Sequence, residues 1–78
     1  MTQTTAEQVG ANVRAEMARA GLSQAALAAI LGLSQPAISK RLRGIQAFDV
    51  DEVARAAEAL GIDVASLMSI TSTSAQAS

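Results

Sequence analysis

Apolar residues recur along this chain at spacings of three and four, and glycine interrupts the pattern at regular places. Val9, Val13, Met17 and Ala20 share one face of a helix predicted over about Thr5–Ala20. A second helix is predicted over Gln24–Leu31, with Leu27, Ala28 and Leu31 inward, and a third over Gln35–Leu42. A fourth spans Val50–Leu60 with Val50, Val53, Ala57 and Leu60 inward, and a short fifth spans Val64–Met68. Gly21, Gly32, Gly44 and Gly61 each follow such a segment, where a left-handed residue ends a helix.

The helix starts carry an equally regular signal. Ser23, Ser34, Asp49 and Asp63 are the predicted N-caps, each with an apolar residue just before it and another four residues after it. The pairs Leu22/Leu27, Leu33/Ile38, Phe48/Val53 and Ile62/Leu67 have the spacing of a hydrophobic staple, and Asp49 with Glu52 makes a capping-box pattern. Gly10 costs the first helix ~1 kcal/mol against Ala, a cost tolerable where another helix crosses closely.

Composition agrees with this reading. Half of the 78 residues are hydrophobic and 18 of them are Ala, the best helix former and a poor strand former. The expected fold is therefore all-α, one small helical domain over residues 1–70. The tail 71–78 has no large apolar residue and is expected to be disordered. With no Cys and no His, thiolate catalysis, Cys-based zinc sites and the commonest general base are all excluded. An enzyme is not expected, and neither a metal nor a cofactor is implied. No window approaches the ~20 apolar residues of a membrane span, and Met1–Ala6 has no basic n-region before an apolar run. A cytoplasmic protein without membrane contact is expected.

A formal net charge of −1 argues against a nucleic-acid partner, but the distribution argues for one. From Gly21 to Phe48 there is no acidic residue, while Lys40, Arg41 and Arg43 lie within four positions. At a screening length of ~8 Å in physiological salt, a local basic stripe can act on an otherwise acidic molecule. Three clustered bases could equally do no more than solvate an exposed helix end. Arg14, Arg19 and Arg55 read as solvated helix faces, and Asp51, Glu52 and Glu58 as a helix N-terminus complementing the macrodipole.

The second and third helices are joined only by Gly32-Leu33-Ser34, too short for an antiparallel pair, so they meet at a steep angle. That is helix-turn-helix geometry, in which the second helix can project into a groove. On the third helix, Gln35, Pro36, Ser39, Lys40 and Arg43 fall in one arc of about 140°. Ala37, Ile38, Arg41 and Leu42 fall opposite. Gln35 can pair bidentately with an adenine edge, Ser39 can donate or accept, and Lys40 can reach guanine or phosphate. Pro36, harmless in a first helical turn, offers a flat apolar surface to a thymine methyl. Arg43 sits at the helix end, where a guanidinium meets backbone phosphate.

The segment from Gln24 to Gly44, Gln-Ala-Ala-Leu-Ala-Ala-Ile-Leu-Gly-Leu-Ser-Gln-Pro-Ala-Ile-Ser-Lys-Arg-Leu-Arg-Gly, resembles the lambda-repressor/Cro-like helix-turn-helix family. Gln24, Ala28, Gly32 and Ile38 stand at its diagnostic positions, and Gly44-Ile-Gln-Ala-Phe48 resembles its loop after the recognition helix. The likeness covers roughly Val9 to Met68. It implies a five-helix DNA-binding domain in which Gln35, Pro36, Ser39 and Lys40 face bases. It also implies that Gln24 touches phosphate and braces Gln35, and that Arg43 and Gln46 hold the sugar-phosphate backbone. Ser23 would cap the second helix, with its amides pointing at a phosphate. Arg41 departs from the family, which has an apolar residue there and a polar one at Leu42. The inward anchor is then expected to shift by one residue, and Arg41 is open between a backbone contact and a path along the core edge. Some relatives carry a buried Arg–Glu pair at the positions of Met17 and Leu42, both apolar here.

Together these features predict a sequence-specific transcriptional regulator, a small phage- or prophage-type repressor of the Cro kind, in a bacterial host cell and associated with its nucleoid. Its partner would be double-stranded operator DNA, palindromic if the protein binds as a homodimer, with half-sites ~34–36 Å apart. Leu67, Met68 and Ile70 form an apolar end that either closes the core or makes a dimer contact, and self-association would rest on the fifth helix and its flanks or occur only on DNA. The rival from another class is a protein-binding helical module, an antitoxin-like partner or phage inhibitor, that keeps the scaffold without touching DNA.

Overall fold

A computed structural model of the chain describes residues 3–69. It contains α1 (Thr5–Ala20), α2 (Gln24–Leu31), α3 (Gln35–Leu42), α4 (Val50–Leu60) and α5 (Val64–Met68), and no strand among the described residues. Ile70 and the expected tail over 71–78 lie outside the described residues.

Helix starts are fixed by side chains close in sequence. Ser23 Oγ accepts from the Ala26 amide at 3.1 Å and Ser34 Oγ from the Ala37 amide at 3.2 Å. Asp49 Oδ1 accepts from the Glu52 amide at 2.7 Å, while Glu52 Oε1 accepts from the Asp49 amide at 3.0 Å. α1 opens on a second capping box, Thr4 with Glu7, a Thr-x-x-Glu signal that the apolar pattern alone passed over. Asp63 takes the N-cap position of α5, but its carboxylate accepts no capping bond. α5 is held instead from across the molecule: Asn12 Nδ2 donates to the Leu67 carbonyl at 2.9 Å and to that of Ser69 at 2.8 Å.

The second member of each staple, Leu27, Ile38, Val53 and Leu67, is buried, and Leu22, Leu33, Phe48 and Ile62 pack half-buried against the same core. Val9, Val13, Met17, Ala28, Leu31, Leu42, Ala56 and Ala57 complete it. Two expected inward positions are outside. Ala20 is exposed at the end of α1, and Val50 is 85% exposed. A side chain in the first turn of a helix leans over the residues that precede it, and Val50 therefore points past the end of α4 rather than into the core.

α3 packs on α1 and α2, α4 on α2, α1 and α5, and α5 on α1. Where α1 meets the end of α3, Gly10 lets the two backbones touch. The close crossing anticipated at this glycine is present. No helix among the described residues is long and apolar enough to cross a membrane.

Candidate nucleic-acid interface

The turn between α2 and α3 is set by its backbone bonds. Gly32 closes α2 in the left-handed region at φ 69°, its amide donating to the Ala29 carbonyl at 3.2 Å. The Leu33 amide donates to the Ala28 carbonyl at 2.8 Å, completing a Schellman arrangement that reverses the chain within one turn. Leu33 tucks against the core, and Ser34 then starts α3 with Pro36 in its first turn, where no amide is needed.

α3 is two-faced in the predicted sense. Ile38 and Leu42 are fully buried, and Gln35, Pro36, Lys40 and Arg43 are exposed, with Ser39 half-buried between them. The inward anchor is thus Leu42, one turn from Ile38, the position to which the unusual residues at 41 and 42 were expected to move it. The side chains of Gln35 and Lys40 make no hydrogen bond or ion pair with any described residue, and neither Lys40 nor Arg43 has an acidic partner among them. Arg43 Nε donates weakly to the Ser39 carbonyl at 3.4 Å, along the helix's own end. Gln46 follows, exposed, in the loop before α4. At the start of α2, Ser23 and Gln24 are exposed as well, but no hydrogen bond joins Gln24 to Gln35. The bracing implied by the resemblance is not made in this structure.

Arg41 lies elsewhere. Its Nε donates to Glu52 Oε1 at 2.8 Å and a terminal nitrogen donates to the Ala37 carbonyl at 3.1 Å. The paired side chains are only 12% and 10% exposed. Of the two options for Arg41, the structure has the one along the core edge, ending in an ion pair. Glu52, read as a capping-box and macrodipole carboxylate at a helix start, is buried and serves both its own cap and Arg41. Periodicity leaves the pair unseen, because its members stand eleven residues apart on different helices. Arg14, Arg19 and Arg55 are exposed as expected, Arg19 with an ion pair to Glu16 at 3.4 Å.

Gln35, Ser39, Lys40 and Arg43 thus form a continuous polar and cationic strip on a projecting helix, flanked by the N-terminus of α2 and the loop at Gln46. Such a strip suits a polyanion whose edges carry hydrogen-bonding groups.

Known proteins share this arrangement. The Helix-turn-helix family model matches residues 13–67. Among solved structures, the clp gene regulator ClgR from Corynebacterium glutamicum superposes with a TM-score of 0.78 at 27% identity, over 85% of this chain and 86% of that one. The restriction-modification controller protein C.AhdI from Aeromonas hydrophila gives 0.71 at 28% identity, over 78% and 92% of the two chains. The DNA-binding domain of BldD gives 0.69 at 28% identity, over 86% and 97%. No curated protein sequence matches the chain. The α2–α3 unit, the strip it presents and the extent of these matches lead to one assignment: the chain belongs to the lambda-repressor/Cro-like helix-turn-helix family of DNA-binding transcriptional regulators.

Proposed function

We propose that the protein is a sequence-specific repressor of the phage or prophage type, a Cro-like regulator acting by occupying operator DNA. α3 enters the major groove with Gln35, Pro36, Ser39 and Lys40 toward base edges. Ser23, Gln24, Arg43 and Gln46 hold the sugar-phosphate backbone on either side. Arg41 is left out of this set because Glu52 and the Ala37 carbonyl already engage its guanidinium. The observation that carries the reading is the exposed outer face of α3, where the Gln35 amide and the Lys40 ammonium make no hydrogen bond or ion pair with any described residue.

Binding as a homodimer on a palindromic site completes the proposal. Its support is an apolar groove of about 150 Å³ lined by Phe48, Val50, Val53, Val64 and Met68. The groove begins two residues beyond Gln46, so a second copy seated there would lie beside the first on one duplex.

The test is a mobility-shift titration in rising salt, using duplexes recovered by the protein from a randomised library. Affinity should fall linearly on a log–log plot, by about 0.9 decade per decade of salt for each phosphate contacted. A recovered palindrome supports the two-fold arrangement. No shift with any duplex at low salt would instead favour the protein-binding module.

A further inference from the structure

The two ends of the recognition helix are held in different ways. Its N-terminus is tied covalently to α2 through Gly32-Leu33-Ser34 and capped by Ser34. Its last turn is anchored by the buried Leu42 and runs into a loop whose Gly44 lies against Glu7 of α1. On one side, the carbonyls of Arg41 and Leu42 rest on Gly10 of α1. On the α4 side, no Cα of α3 comes within 8 Å of one in α4, so the two helix backbones do not touch. Arg41 and Glu52 span that gap. One carboxylate oxygen, Oε1, accepts from both the Arg41 Nε and the Asp49 amide, and Arg41 is itself anchored back to the Ala37 carbonyl. The bridge therefore joins the last turn of α3 to the first turn of α4 and closes the intervening loop that carries Arg43 and Gln46.

A buried ion pair is weak support for stability, since apolar replacement is often neutral or better, and its best-attested benefit is fixing one arrangement among several. We infer that Arg41 and Glu52 are positioning residues for DNA recognition: their bridge sets how the Ser39–Arg43 end of α3 and the adjoining loop present themselves to the duplex. Neither touches DNA in this arrangement. The inference rests on the DNA-binding reading above. It differs from the backbone contact that the sequence left open for Arg41, and the two make opposite predictions about salt.

The experiment compares the parent protein with R41M/E52Q and R41K on duplexes selected by the parent. R41M/E52Q removes both charges together and leaves an amide oxygen to accept from Asp49. R41K keeps the charge but loses the guanidinium's second prong, and it carries the test if the double variant does not fold. Thermal unfolding establishes that each variant is folded at the assay temperature. Both variants should bind about tenfold more weakly, roughly 1.4 kcal/mol. Preferences should flatten at base pairs facing Ser39 and Lys40 and persist at the one facing Gln35, with an unchanged salt slope. A slope lowered by about one unit in R41M/E52Q means that Arg41 meets a phosphate, and overturns the inference. So does parent-like binding, or a uniform loss with every preference intact. If the parent itself selects no sequence, the functional reading fails first and this one with it.

Discussion

A Cβ placed on Gly10 would stand 2.5 Å from the carbonyl oxygen of Leu42. The same atom would lie 2.8 Å from the Arg41 carbonyl oxygen, so the middle of α1 and the end of α3 meet backbone to backbone. Gly10→Ala should gain about 1 kcal/mol of helix propensity and lose up to about 3 to overlap with atoms that cannot rotate away. A net destabilisation of about 2 kcal/mol is expected, read as a lower midpoint in urea or heat. A more stable variant would show that the helices can part at no cost.

Asn12 holds the end of α5 from 55 residues away. Asn12→Ala removes three side-chain hydrogen bonds, two donated to the α5 end and one accepted from Gln8 Nε2, of about 0.5–1 kcal/mol each and partly offset by better helix propensity. We expect a loss of about 1 kcal/mol, with faster amide exchange concentrated in α5 and little change in α2 and α3. Uniform acceleration across all helices would contradict a local clamp.

At Gln35, truncation to Ala should cost about 1–3 kcal/mol on the selected duplex and relax the preference at one base pair. Binding to random DNA should be nearly unaffected. The check is a set of titrations against duplexes varied one position at a time.

Arg43→Ala should weaken every duplex alike and reduce the salt slope by about one unit. Equal behaviour of the Gln35 and Arg43 variants in both assays would refute the division between base-facing and backbone-facing residues.

Val50, with its side chain outside the core, tests the two-fold arrangement without threatening the fold. Val50→Lys should leave the melting temperature within a few degrees of the parent. It should also abolish cooperative occupation of a palindrome while sparing a single half-site. Retained cooperativity would move the dimer contact away from the groove at Phe48, Val53, Val64 and Met68.

What the sequence by itself determined is local. The helix limits, the caps at Ser23, Ser34 and Asp49 and the two faces of α3 follow from hydrogen bonds and staples that close within six residues. The tertiary structure decided whatever depends on residues distant along the chain. Arg41 turned to Glu52 because the α3–α4 loop brings a carboxylate to the core edge where its hydrocarbon stem already lay. Val50 faced outward because its first-turn side chain leans past the start of α4, and α5 was secured by Asn12 rather than by Asp63. Helical periodicity specifies which residues share a face, but the neighbour that face meets is set only when the chain closes on itself.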